Sequence, residues 1–354
     1  MNLSAPRSVL LFLACVTVLV AVMLGFLSAG GFAALSVLGA LWNGSFGSWY
    51  SITSATLVRS VPLMLTGGAV AVAFRAGVFN IGAEGQLLAG ASAATAVALA
   101  LPHGGVATAG LALILGAVAG GAWAGIAALL RVRFGVLEVI STMMLNFVAL
   151  HVVSFLVRGP LQEPTHVYPQ TAMIAAAVHL PWLPGAGRLH AGILLALVAL
   201  GFSGWVLRRT AYGFRLLVVG ESRSAAASAG MMDVERTILG AFLYSGALAG
   251  LAGAVEVLGV TFALYENISP GYGYTAIAVA LLAGLDPWRV MLSAVLFGAL
   301  EAGAGAMQRD AGVPATLVSV IEALLILSVL GIQAIRWHDR RRALRPEEVR
   351  GVVR

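Results

Sequence analysis

Apolar runs of about 20 residues recur along almost the whole chain, and no other feature limits its folding as strongly. Backbone that passes through lipid must satisfy its amides within the segment, so runs of this length fold as helices. Spans read at 8–28, 57–74, 83–101, 106–130, 138–157, 191–208, 237–260, 273–285, 289–307 and 314–335. The expected fold class is an all-α polytopic membrane protein, a single domain over 1–354 with about ten transmembrane helices. Composition points the same way: 60% of residues are hydrophobic, 10% are charged and the mean hydropathy is +0.96, whereas soluble domains carry about 25% charge. The 43 glycines suit helices that approach backbone to backbone in lipid. Spans 57–74 and 273–285 are short, and Pro62 and Pro287 mark ends or kinks. The first run exceeds a signal-peptide core of about 7 to 15 residues and reads as an uncleaved anchor. Residues 29–55, with Trp42, Trp49 and Tyr50, read as an outer loop at the membrane interface.

All 21 basic residues are arginine. Without lysine the chain has neither a P-loop lysine nor a Schiff base, so any ATP used must be hydrolysed on another chain. Cys15 is the single cysteine, which excludes a disulfide and a cysteine metal site and reads as a structural residue of the first span. A net charge of +6 is compatible with nucleic-acid binding, but the arginines cluster between apolar spans, the pattern of membrane topology. Ten spans put both termini on one side. With both termini cytoplasmic, 17 arginines fall in inner segments and only Arg59, Arg158, Arg188 and Arg309 in outer ones. Residues 209–236 are then a cytoplasmic loop and 336–354 a cytoplasmic tail.

Polar residues inside so apolar a chain carry the functional signal. The run RAGVFNIGAEGQLLAG, Arg75 to Gly90, sets Arg75, Asn80, Glu84 and Gln86 between two spans, with Gly82 and Gly85 flanking the glutamate. It reads as a broken membrane helix along a polar solute's path. In the span that opens GVLEVISTMMLNFVALHVV, Glu138, Ser141, Thr142 and Asn146 fall near one helix face. Asn146 is either interhelical glue or a solute-binding amide; Glu138 is either interfacial or part of the path, and His151 reads as a packing residue. Glu256, Glu301 and Glu322 lie in later spans. Each costs about 2.5–3.5 kcal/mol at membrane depth unless it faces a polar interior or a partner. The membrane carboxylates leave a proton-coupled secondary transporter open as a reading. A membrane enzyme would need an acidic metal motif or a convergent base pair, and neither is visible. Asn80-Ile81-Gly82 is echoed by Asn267-Ile268 with Gly271 and Gly273, five spans later and on the opposite face, which suggests an inverted internal repeat.

Two loops are longer than connectors. The outer one, 158–190, holds five prolines and His166, His179 and His190, whose spacing matches no metal pattern. In the inner one, Ser222 or Ser224 can cap a short helix through Ala225, Ala226 and Ala227 that Gly230 ends. Such a helix is either an ordinary amphipathic connector or a docking helix oriented by Glu221 and Arg223.

Three runs together, RAGVFNIGAEGQLLAGA from Arg75, LEVISTMMLNFVAL from Leu137 and YGFRLLVVGESRSAAASAG from Tyr212, resemble the permease subunits of bacterial ABC importers for nucleosides and simple sugars. These sit within the branched-chain amino acid and ribose permease superfamily, and the similarity covers nearly the whole chain. The resemblance implies a subunit of an importer in the bacterial cytoplasmic membrane that moves a nucleoside, or alternatively a ribose-like sugar. Its implied partners are a cytoplasmic ATP-binding subunit that holds ATP and magnesium, a second permease, related or identical, and an extracytoplasmic solute-binding protein. No cofactor and no catalytic residue is expected on this chain. The inner loop gains a role as the segment that couples to the ATPase, at Gly220, Glu221, Ser222, Arg223, Ala225, Ala226 and Gly230. Family members often carry an Asn-Pro pair where this chain has Glu221-Ser222-Arg223. A neutral nucleoside is rich in hydrogen-bonding groups, and a path of Asn80, Glu84, Gln86, Glu138, Ser141, Thr142 and Asn146 is the expected route for it.

Overall fold

The structure, a computed structural model, describes residues 30–228 and 233–314 without interruption, with isolated positions in 17–28 and 316–331. Most of the expected spans 8–28 and 314–335, all of the tail 336–354, Cys15 and Glu322 lie outside the described residues. Among the described residues the fold is helical, and β pairing is confined to isolated bridges, Gln170 with Tyr265 and Trp182 with His190.

In chain order the helices are α1 (Ala34–Ser45), α2 (Leu57–Arg75), α3 (Ala83–Ala100), α4 (Gly105–Phe134), α5 (Glu138–Arg158), α6 (Gly192–Arg209), α7 (Ala211–Glu221), α8 (Arg223–Ser228), α9 (Val234–Glu256), α10 (Tyr272–Leu282) and α11 (Pro287–Asp310). Two of them carry π-helical turns, Ser51–Thr56 leading into α2 and Val257–Thr261 extending α9. Ser51–Arg75, Gly105–Phe134, Glu138–Arg158, Gly192–Arg209, Val234–Thr261 and Pro287–Asp310 are each long and apolar enough to cross a membrane. The shorter α10 is also apolar. α3 opens on Glu84 and Gln86, which makes its first turn polar.

Two sequence expectations change here. The segment 29–55 is not a plain loop: its apolar stretch ALSVLGALW winds into α1, and Ser51–Thr56 continues directly into α2. Of the two readings of Pro62, a helix end or a kink, the end is ruled out, because the proline lies inside α2. Hydroxyls on either side of the proline return to the backbone one turn earlier. Ser60 donates to the Thr56 carbonyl and Thr66 to the Pro62 carbonyl, each at 2.7 Å. Pro287, by contrast, stands at the start of α11, where no amide is needed.

The chain forms two compact units. One comprises Met1–Ser48 with Leu300–Arg354, where Leu27, Val37, Met307 and Val313 form a small buried cluster. The other, Trp49–Ala299, contains everything described below. Its centre is the packing of α3, α4 and α9 through small residues. A Cβ on Gly250 of α9 would lie 2.8 Å from the Gly120 Cα of α4, and one on Gly253 would strike the Leu87 carbonyl of α3. Only glycine admits backbones this close, and in lipid such dispersion contact takes the place of apolar burial from water.

Two turns deliver polar groups to the interior of this unit. α4 stops at Gly135, whose φ of 66° lets its amide bond the Arg131 carbonyl at 3.0 Å, while Val136 bonds the Leu130 carbonyl at 3.2 Å. This Schellman-type turn reverses the chain within four residues and brings Glu138, the first residue of α5, back to Arg131. α2 ends in a similar reversal at Gly77, φ 66°, with the Val78 amide on the Ala73 carbonyl at 3.0 Å.

Candidate functional site

The stretch from Ala76 to Gly82 is non-helical, so the expected break between α2 and α3 is present. A second break precedes α10, where Gly271 takes φ 102°. The two breaks meet. The Gly273 amide, in the first turn of α10, donates to Glu84 Oε2 in the first turn of α3 at 2.7 Å. A Cβ on Gly273 would overlap the backbone of Ala83 and Glu84, so the two helix starts abut. The Glu84 carboxylate therefore sits on the positive end of α10 as well as its own helix. The Ser269 hydroxyl also bonds that carboxylate and accepts the Gly271 and Tyr272 amides at 3.1 Å each. The two segments in contact are those that carry the sequence echo.

Around this contact the buried amides hold one another. Asn80 Nδ2 donates to Gln86 Oε1 at 3.0 Å, and Gln86 Nε2 returns a bond to Asn80 Oδ1 at 2.9 Å. Asn80 Nδ2 also reaches Ser245 Oγ of α9 at 2.9 Å, while its Oδ1 accepts the Gly82 amide at 3.0 Å. Asn146 acts as the glue between helices: Oδ1 accepts the Gly85 amide at 2.9 Å, and Nδ2 donates to the Ile81 carbonyl at 3.0 Å and the Tyr274 hydroxyl at 3.4 Å. Thr142 Oγ1 bonds the Glu138 carbonyl at 2.7 Å and accepts the Ile81 amide at 3.3 Å. The break is thus closed from within: Asn80, Thr142 and Asn146 satisfy backbone groups at the break, and Gln86 holds Asn80 in place. Asn80, Glu84, Gln86, Thr142 and Asn146 are brought into one junction. Ser141 is not; its hydroxyl stays on the Glu138 and Leu137 carbonyls of its own helix.

Glu138 lies one turn below, in an ion-pair cluster. Arg131 Nε approaches Oε2 at 3.0 Å and Arg223 Nη2 approaches Oε1 at 3.3 Å. Arg223 is the first residue of α8, in the inner loop. The residues expected to couple to an ATPase divide between two surfaces. Gly220 packs its Cα on the Arg75 carbonyl, and Ala226 is fully buried among Val72, Ala73, Ala76 and Val78. Both therefore face the rest of the chain. Glu221 and Ala225, with Ser224, Ala227 and Ser228, are exposed. Ser222 accepts the Ala225 amide at 3.2 Å and caps α8, and Gly230 lies outside the described residues.

The other polar groups are engaged elsewhere. Arg158 makes a two-point bond to Glu266, Nε to Oε1 at 2.7 Å and Nη2 to Oε2 at 2.9 Å, and the Ser154 hydroxyl adds a third contact. These bonds, Arg158 first and Ser154 second, hold the Glu266 carboxyl down to about 2. They fix the segment that leads into Ser269 and α10. The long 158–190 segment lies along residues 258–264 through backbone bonds, among them Ile174 to the Phe262 carbonyl and Leu180 to that of Leu258. Its histidines are dispersed: His166 bonds Gln162, His179 stacks on Phe262 with ring centroids 3.9 Å apart, and His190 is buried against Gly192 and Gly259. Glu256 is buried in α9.

Sequence reasoning missed Ser245, Tyr274, Ser269, Arg131 and the direct bond from Arg223 to Glu138. Ser245, a serine within an apolar run, carries no local signal. The echo at Gly273, however, marks the partner of Glu84.

Comparison with known proteins places these features in a lineage. The guanosine ABC transporter permease protein NupP of Bacillus subtilis is 40% identical over 330 residues, 90% of this chain and 94% of that protein. The glucose ABC transporter permease protein TsgB13 of Haloferax volcanii is 39% identical, over 87% of this chain and 85% of its own. The nucleoside ABC transporter permease protein NupB of Lactococcus lactis is 33% identical, over 82% and 81%. No solved structure matches. The family model described as branched-chain amino acid transport system / permease component matches residues 52–330, and the chain, with its broken helices and glycine-packed core, belongs to that family.

Proposed function

We propose that the chain is the membrane-spanning permease subunit of an ABC importer that moves a nucleoside into the bacterial cytoplasm. The observation that carries this reading is the junction of two abutting helix starts, closed by neutral amides at Asn80, Gln86 and Asn146. A nucleoside is uncharged and carries donors and acceptors on base and sugar. It can take over these bonds one for one, so the junction opens around the solute without leaving buried polar groups unpaired. Helix starts that meet at a break are the usual setting for solute sites in transporters built from repeats. Family membership and the 40% identity to a guanosine permease support the same cargo class.

In this reading the loop 209–236 and both termini are cytoplasmic, following the arginine distribution. A separate ATP-binding subunit hydrolyses magnesium ATP, a second permease completes the pathway, and an extracytoplasmic binding protein delivers the cargo. Glu84 and Glu138 have fixed partners, Gly273 and two arginines, which counts against a proton-driven carrier.

The test is uptake into proteoliposomes holding the permease, its ATP-binding subunit and its binding protein. Labelled guanosine is expected to accumulate only with internal ATP. Uptake by this chain alone on a proton gradient would overturn the reading. Identity of 39% to a glucose permease favours a sugar as the second reading; glucose accumulating in place of guanosine would establish it.

A further inference from the structure

The polar junction and the exposed face of α8 are linked by one side chain. Arg223 Nη2 donates to the Gly77 carbonyl at 2.6 Å and to Glu138 Oε1 at 3.3 Å. These acceptors stand at the two roots of the junction. Gly77 begins the non-helical stretch that carries Asn80 and Ile81 into α3. Glu138 begins α5, and one and two turns further along that helix Thr142 and Asn146 hold Ile81 and Gly85. Arg223 thus ties together the two strands of structure that must separate if the junction opens.

The surrounding packing leaves α8 little freedom to move alone. Gly220 meets the Arg75 carbonyl and Gly77 backbone to backbone, and a Cβ on Gly77 would lie 3.0 Å from the Gly220 Cα. Ala226 sits in the same core as Val72, Ala76 and Val78. Arg131 pairs with the other oxygen of Glu138 at 3.0 Å. Glu138 is buried with one oxygen on each guanidinium, so Arg131 holds the carboxyl group in place for Arg223. A displacement of α8 moves the Arg223 guanidinium, and the guanidinium is bonded to the stretch from Gly77 and to α5 at once.

We propose that Arg223, with Glu138 as its anchor, is the positioning residue that transmits movement of α8 to the polar junction. Glu138 thereby leaves the solute path and becomes part of the transmission. This rests on the importer reading for what pushes α8, but the link itself is a property of this chain.

Two measurements test it. The first uses the full chain alone in detergent and reads deuterium exchange of the peptide covering residues 77–86 in the wild type, Arg223→Ala and Arg223→Lys. Loss of charged hydrogen bonds of this kind is expected to speed exchange there about tenfold in Arg223→Ala, less in Arg223→Lys. Equal rates in all three would overturn the link, whatever the cargo. The second uses the reconstituted complex with guanosine as probe and reads guanosine taken up per ATP hydrolysed. A merely structural role would reduce the amount of assembled complex and leave that ratio alone. Transmission through Arg223 lowers the ratio about tenfold in Arg223→Ala, with part of it restored in Arg223→Lys; an unchanged ratio overturns the proposal. A wild-type complex that takes up no guanosine bears on the cargo reading, and the exchange measurement still decides the link.

Discussion

Asn80 and Gln86 bond each other through both ends of their amides, so truncating one strands the other. A buried amide left without a partner costs about 1–3 kcal/mol, whereas removing both partners together is far milder. Asn80→Leu also deprives Ser245 Oγ of a donor and the Gly82 amide of its acceptor. Asn80→Leu and Gln86→Leu are each expected to lower the thermal midpoint in detergent, and the double variant to lose less than the two singles combined. Additive losses would show that the pair is not coupled. Asn80→Leu should also insert normally yet import poorly; wild-type uptake would remove Asn80 from the transport step. The chemistry of this site was legible as a set of polar residues out of place. Its direction was not: Asn80 and Gln86 turn toward each other, and Asn80 and Asn146 toward orphaned backbone, which depends on where the glycines let α10 approach. A second residue-scale consequence concerns His190. Burial holds its ring down to about 4, against an ordinary value of 6.5, and Nε2 has no hydrogen-bond partner among the described residues. The folded chain keeps this histidine neutral while the unfolded chain takes a proton, so its contribution is present above pH 6.5 and is lost as pH falls from there toward 4. Thermal midpoints measured across that window should decline more steeply for the wild type than for His190→Gln. Parallel curves would place the acid sensitivity elsewhere.

At the scale of elements, hydropathy located helices but not their contacts. The apolar segment expected at 83–101 meets α3 at Ala83–Ala100, and that expected at 138–157 meets α5 at Glu138–Arg158, because caps and turn glycines leave a local mark. The π turns at Ser51–Thr56 and Val257–Thr261 left none, since a π turn shares the apolar composition of the α-helix it joins. Which glycines are essential was equally hidden. Gly110 of α4 has nothing near the place a Cβ would take, whereas a Cβ on Gly250 of α9 would meet the Gly116 carbonyl and the Gly120 backbone. Gly110→Ala is expected to be neutral or mildly stabilising, since alanine favours a helix over glycine by about 1 kcal/mol. Gly250→Ala forces α4 and α9 apart and should cost about 1–3 kcal/mol through overpacking. Equal thermal midpoints for the two variants would show that the α4 and α9 backbones are not in this contact.

At the scale of the whole molecule, the division of α8 between buried and exposed residues separates folding from assembly. The sequence marks Ala225, Ala226 and Ala227 as interchangeable members of a short helix, and only the three-dimensional register distinguishes them. Ala226 is sealed in the core with Val219 and Phe242, while Ala225 and Ala227 present a shallow face free of long side chains. A shallow face suits insertion into a groove on an ATP-binding subunit, because small residues let the helix axis come close. A tryptophan at position 226 has no room and should destabilise the chain itself, by the several kcal/mol typical of gross overpacking in a core. Ala227 is exposed, so a tryptophan there lies outside that core. Ala227→Trp is therefore expected to retain the wild-type thermal midpoint yet fail to co-purify with its ATP-binding subunit, while Ala226→Trp loses both. If Ala227→Trp retains its partner and couples ATP hydrolysis to uptake normally, the exposed face of α8 is not the docking surface, and the transmission through Arg223 begins elsewhere on the inner loop.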